Sequence, residues 1–147
     1  CSKGVNAYGL RQLREALVIP LRDADGALWS LQFIDGAGNK RFLTGGRKRG
    51  CYFAIGRPHG VLCLAEGYAT AASVFEATGH ATAVAFDAGN LEPVARALRA
   101  KFPSLAIIIA ADNDSATPGN PGVACAVAAA RAVRGRVAVP EFAGVAT

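Results

Sequence analysis

Methionine is absent from the sequence, histidine occurs twice, tryptophan once, and only 18% of the residues are charged. Each scarcity excludes something. The histidines, His59 and His80, and the cysteines at 1, 51, 63 and 125 include no C-x-x-C pair, so the ligand spacing of a structural zinc site is missing. Cys63 stands in an apolar run and Cys125 in an alanine-rich one, the setting of small buried thiols in a reducing compartment rather than of a disulfide frame. The longest apolar stretch, residues 105–111, is far short of the roughly 20 residues a membrane helix needs. No basic segment followed by an apolar one opens the chain as in a signal peptide. A soluble, cytoplasmic protein with no membrane partner is expected. With few charges goes a 52% hydrophobic content and 17 glycines, which excludes a disordered chain and suits closely packed α/β layers. A chain that begins at Cys1 without methionine is expected to be a segment of a longer polypeptide, with neighbouring domains beyond it.

What is present is a regular alternation. A length of 147 residues fits one domain, or one domain with a small appended lobe. From residue 61 onward, apolar runs at 61–65, 81–86, 105–111 and 136–140 alternate with helical patterns. The first helix is predicted over 68–78, closed by Gly79. The second follows Asn90 as N-cap and carries Leu91, Val94, Ala95 and Leu98 at i, i+3, i+4 and i+7. The third runs over 124–133 behind Asn120-Pro121 as cap and first turn. The order β-α-β-α-β-α-β predicts an α/β fold, a parallel sheet flanked by helices with right-handed crossovers. Before it, strand-like runs at 17–22, 28–34, 40–43 and 51–55 are separated by turns, notably Asp25-Gly26 and Asp35-Gly36. They predict a small N-terminal β-hairpin lobe, preceded at 1–12 by a helix remnant or a frayed tail. The expected division is 1–57 and 58–147, jointed at Arg57-Pro58-His59-Gly60.

In an open parallel sheet, ligands bind beyond the carboxyl ends of the strands. Glu66 follows the first strand of the alternation, and Asp112 and Asp114 follow the third. They converge if those strands are neighbours. Three crowded carboxylates repel one another unless a cation neutralises them, and hard oxygen ligands of this charge suit Mg²⁺ or Mn²⁺. A metal so held binds phosphate oxygens and stabilises charge developing at phosphorus. Asp87 also follows a strand, and is either a further acid of the site or the cap of the next turn; Asn120 is a loop cap first and a substrate contact second. Lys40, Arg41, Arg47, Lys48, Arg49 and Arg57 crowd one short region, a footprint suited to a polyanion. Trp29, Phe33 and Tyr52 are core candidates first and base-stacking surfaces second.

These residues resemble a known family. Leu64-Ala65-Glu66-Gly67-Tyr68-Ala69-Thr70-Ala71 is similar to the glutamate motif of Toprim domains, and the segment ending Ala110-Ala111-Asp112-Asn113-Asp114 to their D-x-D motif. Val84-Ala85-Phe86-Asp87-Ala88-Gly89-Asn90-Leu91 resembles the second-strand segment of Toprim primases of plasmids and phages. The likeness covers about 61–140, and the lobe before it resembles the region ahead of Toprim in the same primases. Residues 115–119 make a longer loop after the second aspartate than in bacterial replicative primases, which also suits the plasmid and phage type. The resemblance implies that Asp112 and Asp114 coordinate Mg²⁺ and that Glu66 is an acid or base or shares the metal. It implies a nucleotidyltransferase that makes RNA primers from ribonucleoside triphosphates on a single-stranded DNA template. A helicase, separate or fused, is a further partner, and the fragment alone is not required to be active. A Toprim nuclease or topoisomerase fragment and a non-catalytic DNA-binding module stay open as alternatives; Tyr68, inside the glutamate motif, is poorly placed for a topoisomerase nucleophile.

Overall fold

The computed structural model describes residues 11–13, 16–112 and 120–139. The first four strands, β1 (Arg11–Leu13), β2 (Ala16–Arg22), β3 (Leu28–Ile34) and β4 (Lys40–Phe42), form one antiparallel sheet in sequence order. Arg11 and Gln12 pair with Val18 and Leu17, so the residues read as the end of a helix or tail belong to a strand. Residues 1–10 lie outside the described residues.

Aspartate side chains build the two turns of this sheet. Asp23 Oδ1 accepts from the backbone N–H groups of Asp25 and Ala27, both at 3.0 Å, and Asp35 Oδ1 accepts from those of Ala37 and Asn39 at 3.0 and 2.9 Å. Each turn closes on a left-handed glycine three residues after its aspartate, Gly26 and Gly38, both at φ 88°. In the second turn the glycine that must take positive φ is therefore Gly38 and not Gly36. The aspartate, by satisfying two donors at once, moves the turn one step along the chain.

The larger sheet contains β5 (Phe53–Ile55), β6 (Val61–Ala65), β7 (Ala81–Val84), β8 (Ala106–Ala110) and β9 (Arg136–Ala138) in the order β5-β7-β6-β8-β9. β6 through β9 are parallel, and β5 is an antiparallel edge on β7. The sequence groups β5 with the hairpin lobe; its hydrogen bonds go to the larger sheet. The helices α1 (Tyr68–Thr78), α2 (Leu91–Lys101) and α3 (Pro121–Val133) cover it. Gly79 ends α1 in the left-handed region at φ 74°, as the sequence predicts.

Both faces of the sheet are buried, which is why its strands read as unbroken apolar runs. On one face Leu62, Leu64, Ile107 and Ile109 meet Leu91, Val94 and Leu98 of α2 and Ala126, Ala129 and Val133 of α3. On the other, Ala65, Val84 and Ala110 meet Tyr68, Ala71 and Ala72 of α1, together with Ile19 and Leu21 of β2. The antiparallel sheet thus shares a core with the parallel one. Cys51 and Cys63 are buried free thiols, and burial pushes both thiols above their ordinary range.

Candidate active site

The adjacency on which the acids depend is present. β6 and β8 are parallel neighbours, with Ala65 opposite Ala110. Glu66 leaves the end of β6 one residue later, and Asp112 leaves β8 two residues later. Both are half-buried, at the carboxyl ends of central strands where an open parallel sheet exposes its ligand crevice. The Glu66 carbonyl accepts from the Phe86 N–H at 2.7 Å, which ties the end of β6 to the end of β7 on its other side. Asp114 lies outside the described residues, and among those described no three His, Cys, Asp or Glu side chains form a metal-sized group. The donor chemistry of Glu66 and Asp112, two carboxylates from adjacent strand ends, fits a hard divalent cation.

Asp87 stands next in the row, beyond the end of β7. Its Oδ1 accepts from the Asn90 N–H at 2.8 Å, capping a single 3₁₀ turn over Ala88–Asn90. Its Oδ2 lies 2.7 Å from Lys48 Nζ. Of the two roles the sequence allows, the cap is realised, with an ion pair added. Asn90, expected to cap α2, makes no side-chain cap bond; its amide turns toward the loop before β5 instead. Asn120 occupies the N-cap position of α3 in left-handed backbone at φ 41° and likewise makes no side-chain cap bond, so that expected cap is positional only. Phe86, immediately before Asp87, takes φ 79°, a conformation that costs a bulky residue about 1–3 kcal/mol. Its ring is held 6.1 Å from that of Phe42, edge to face.

The six basic residues are dispersed by the fold. Lys40 Nζ lies near Gly67, within 3.9 Å of where a β-carbon would stand, which brings it beside the glutamate motif. Lys48 reaches Asp87, and its ammonium sits 4.4 Å from the centre of the Phe42 ring. Arg41, between Lys40 and Phe42 on β4, faces the opposite side of the sheet by strand alternation. Arg47 stacks 4.9 Å over Trp29, and with Arg49 lines a cleft shared with Asp23, Asp25 and Pro93. Arg57 follows β5, whose antiparallel course carries it to the amino ends of the parallel strands, away from Glu66 and Asp112. Lys40 and Lys48 are therefore the bases brought to the acid row. Trp29, placed with the core by its alternation, is 44% exposed; its indole N–H donates to Asp23 Oδ2 at 2.8 Å. Phe33 is half-buried and Tyr52 buried.

Sequence reasoning missed Phe42, Phe86 and the tethering role of Asn90. A polar residue at the apolar start of α2 was the available signal for Asn90, and capping was the simpler explanation of it.

A family model described as Toprim domain matches residues 61–142. Two proteins of Escherichia coli, each a DNA primase TraC, are similar to this chain: one is 47% identical over 154 residues, covering 97% of this chain and 11% of its own length. The other is 48% identical over 134 residues, covering 85% of this chain and 13% of its own length. The chain thus spans little more than a tenth of the length of the curated relatives it matches. Among solved structures, the primase fragment of the bacteriophage T7 primase-helicase protein superposes with a TM-score of 0.68 at 17% identity, over 97% of this chain and 64% of that one. At that identity the likeness is one of fold.

Proposed function

The chain belongs to the Toprim domain family, and from that premise we propose that it is the Mg²⁺- or Mn²⁺-dependent centre of a primase that joins ribonucleotides on single-stranded DNA. It would act within a larger cytoplasmic replication or transfer protein of plasmid or phage type, alongside a helicase or fused helicase domain. The observation that carries this reading is the parallel register of β6 and β8, with Ala65 opposite Ala110, since it sets side by side the strand ends that precede Glu66 and Asp112. The relation to DNA primases over most of the chain supports the reaction class.

Glu66, Asp112 and Asp114 would hold the cation. Bound there, it would stabilise the charge that develops on a triphosphate as a ribonucleotide 3′-hydroxyl attacks its α-phosphorus and the α–β bond breaks to release pyrophosphate. Glu66 takes the proton of the attacking hydroxyl or shares the cation. Lys40 and Lys48 hold phosphate oxygens as point charges, and Arg49, in the cleft it shares with Arg47, holds a template phosphate with its planar fork. Arg41, Arg47 and Arg57 meet the template backbone farther from the acids.

Replacing Asp112 or Asp114 by alanine in the full-length protein tests the reading with labelled single-stranded DNA, Mg²⁺ and ribonucleoside triphosphates. Loss of primer extension is expected in both variants, and full extension by both would defeat the assignment. Cleavage or relaxation without extension would make the domain a nuclease or a topoisomerase fragment. Salt-sensitive DNA binding without any product, unchanged when the acids are neutralised, would make it a binding module.

A further inference from the structure

Asn90 belongs neither to the acid row nor to the basic residues, yet it is among the few buried polar side chains, 4% exposed. Its amide is fully engaged. Oδ1 accepts from the Gly50 N–H at 2.8 Å. Nδ2 donates its two hydrogens to the carbonyls of Lys48, Cys51 and Ala85 at 3.0, 3.1 and 2.8 Å, one hydrogen being shared between two of them. Three of the four partners lie on the loop that precedes β5, and the fourth is at the end of β7. The neighbouring Asp87 caps the Asn90 N–H and pairs with the ammonium of Lys48. Two residues of one short turn therefore address the same loop: the Asn90 side-chain amide holds the loop's backbone, and the Asp87 carboxylate pairs with the loop's Lys48.

A residue needed only to start α2 would cap it, and Asn90 does not. A residue needed only to fill space there would be apolar, because a buried amide is costly unless every polar atom is satisfied. What the amide supplies is a fixed path for residues 48–51, a stretch whose Gly50 takes φ 76° and which no strand pairing holds until Tyr52 meets Arg22. A basic side chain on an untethered loop would lose much of its attraction for a phosphate to the entropy of ordering that loop.

We propose that Asn90 is a positioning residue that fixes the loop over residues 48–51 on the end of β7, so that Lys48 presents its ammonium to a phosphate at the strand ends. This rests on the phosphate-binding reading above and adds to it the residue that acts through Lys48. The phosphate comes either from the nucleotide or from the template, and the test separates the two.

Affinity of the full-length protein is measured for Mg²⁺-ATP and, separately, for a fluorescent thymidine oligonucleotide, using wild type, Lys48→Ala, Asn90→Ala and the double variant. Each single change is expected to weaken one of the two ligands about tenfold, as loss of a charged hydrogen bond does, and the double variant to bind within about twofold of Lys48→Ala, because a shared path is lost once. Weakening confined to Mg²⁺-ATP assigns the nucleotide phosphate, and weakening confined to the oligonucleotide assigns the template. Amide exchange in β6, β7 and β8 checks that Asn90→Ala remains folded; if it does not, Asn90→Ser is held to the same criteria. Losses that multiply to about 100-fold in the double variant, or wild-type affinity in Asn90→Ala, overturn the inference alone. A wild-type chain that binds neither ligand overturns the phosphate-binding reading and this inference with it.

Discussion

The two sheets of this chain employ carboxylates in opposite ways. In the antiparallel sheet Asp23 and Asp35 are consumed by the backbone. Asp23 accepts from Asp25, Ala27 and the Trp29 indole, and Asp35 accepts from Ala37 and from both the backbone and the side chain of Asn39. In the parallel sheet Glu66, Asp87 and Asp112 follow the ends of strands that cross over through helices. Asp87, at the end of β7, is intermediate: it caps a turn and also meets Lys48. The difference comes from connectivity. A hairpin needs an acceptor within a few residues, and aspartate supplies one, whereas a parallel strand opens into a crevice that a carboxylate can line.

The comparison would break most visibly if the sheets were independent. Ile109 is fully buried on β8, and Ile109→Ala is expected to cost about 2–5 kcal/mol. Trp29, the single tryptophan, sits in the antiparallel sheet, while helical circular dichroism reports the parallel one. Because Ile19 and Leu21 share a core with Ala65 and Val84, both signals should shift together in denaturant. Separate midpoints would show two independent units.

A next smaller effect is expected at Gly135, where an added β-carbon would stand 2.8 Å from the Ile107 carbonyl oxygen. Gly135→Ala should cost about 1–3 kcal/mol, read in the same titration, and wild-type stability would mean that β9 yields easily.

Acid sharpens the contrast between carboxylates. The Trp29 indole chiefly, with the Ala27 N–H, holds Asp23 below its ordinary value of 3.8, and the Asn39 backbone and side chain do the same for Asp35. Groups with depressed folded values stabilise fully above the unfolded value and lose that contribution as pH falls through the folded one. Exchange protection at the Ala27 and Asn39 amides should therefore decline between about pH 5 and pH 2 before that of β6 and β8; simultaneous loss would contradict the turn assignment. The smallest effect belongs to the exposed Glu92–Arg96 pair at 3.0 Å on α2, where Glu92→Ala should change stability by no more than about 0.5 kcal/mol.

Much of the parallel sheet is legible in the sequence, because strands buried on both faces leave uninterrupted runs such as residues 61–65 and 106–110, and Gly79 punctuates α1 where a left-handed residue is required. The adjacency of the strands that end before Glu66 and Asp112 is one that the alternation of elements constrains. Less local features were not legible. The edge strand β5 is too short to declare its partner, and its pairing with β7 depends on chain reversal at residues 56–60. Arg57 looks like part of a basic cluster in sequence, and that reversal separates it from the rest. Asp87 takes one of the two roles its position allows, the cap of the following turn, while Asn90 does not cap α2 with its side chain, because its amide can both donate to and accept from a neighbouring backbone.

Under the proposed function a divalent cation is held by the carboxylates at the ends of β6 and β8 and not by those of the antiparallel turns. Anomalous diffraction from crystals soaked in Mn²⁺ tests it directly. The account predicts a metal peak about 2.0–2.3 Å from carboxylate oxygens of Glu66 and Asp112. Occupied Mn²⁺ sites confined to other carboxylates, such as Asp23 or Asp35, would contradict it.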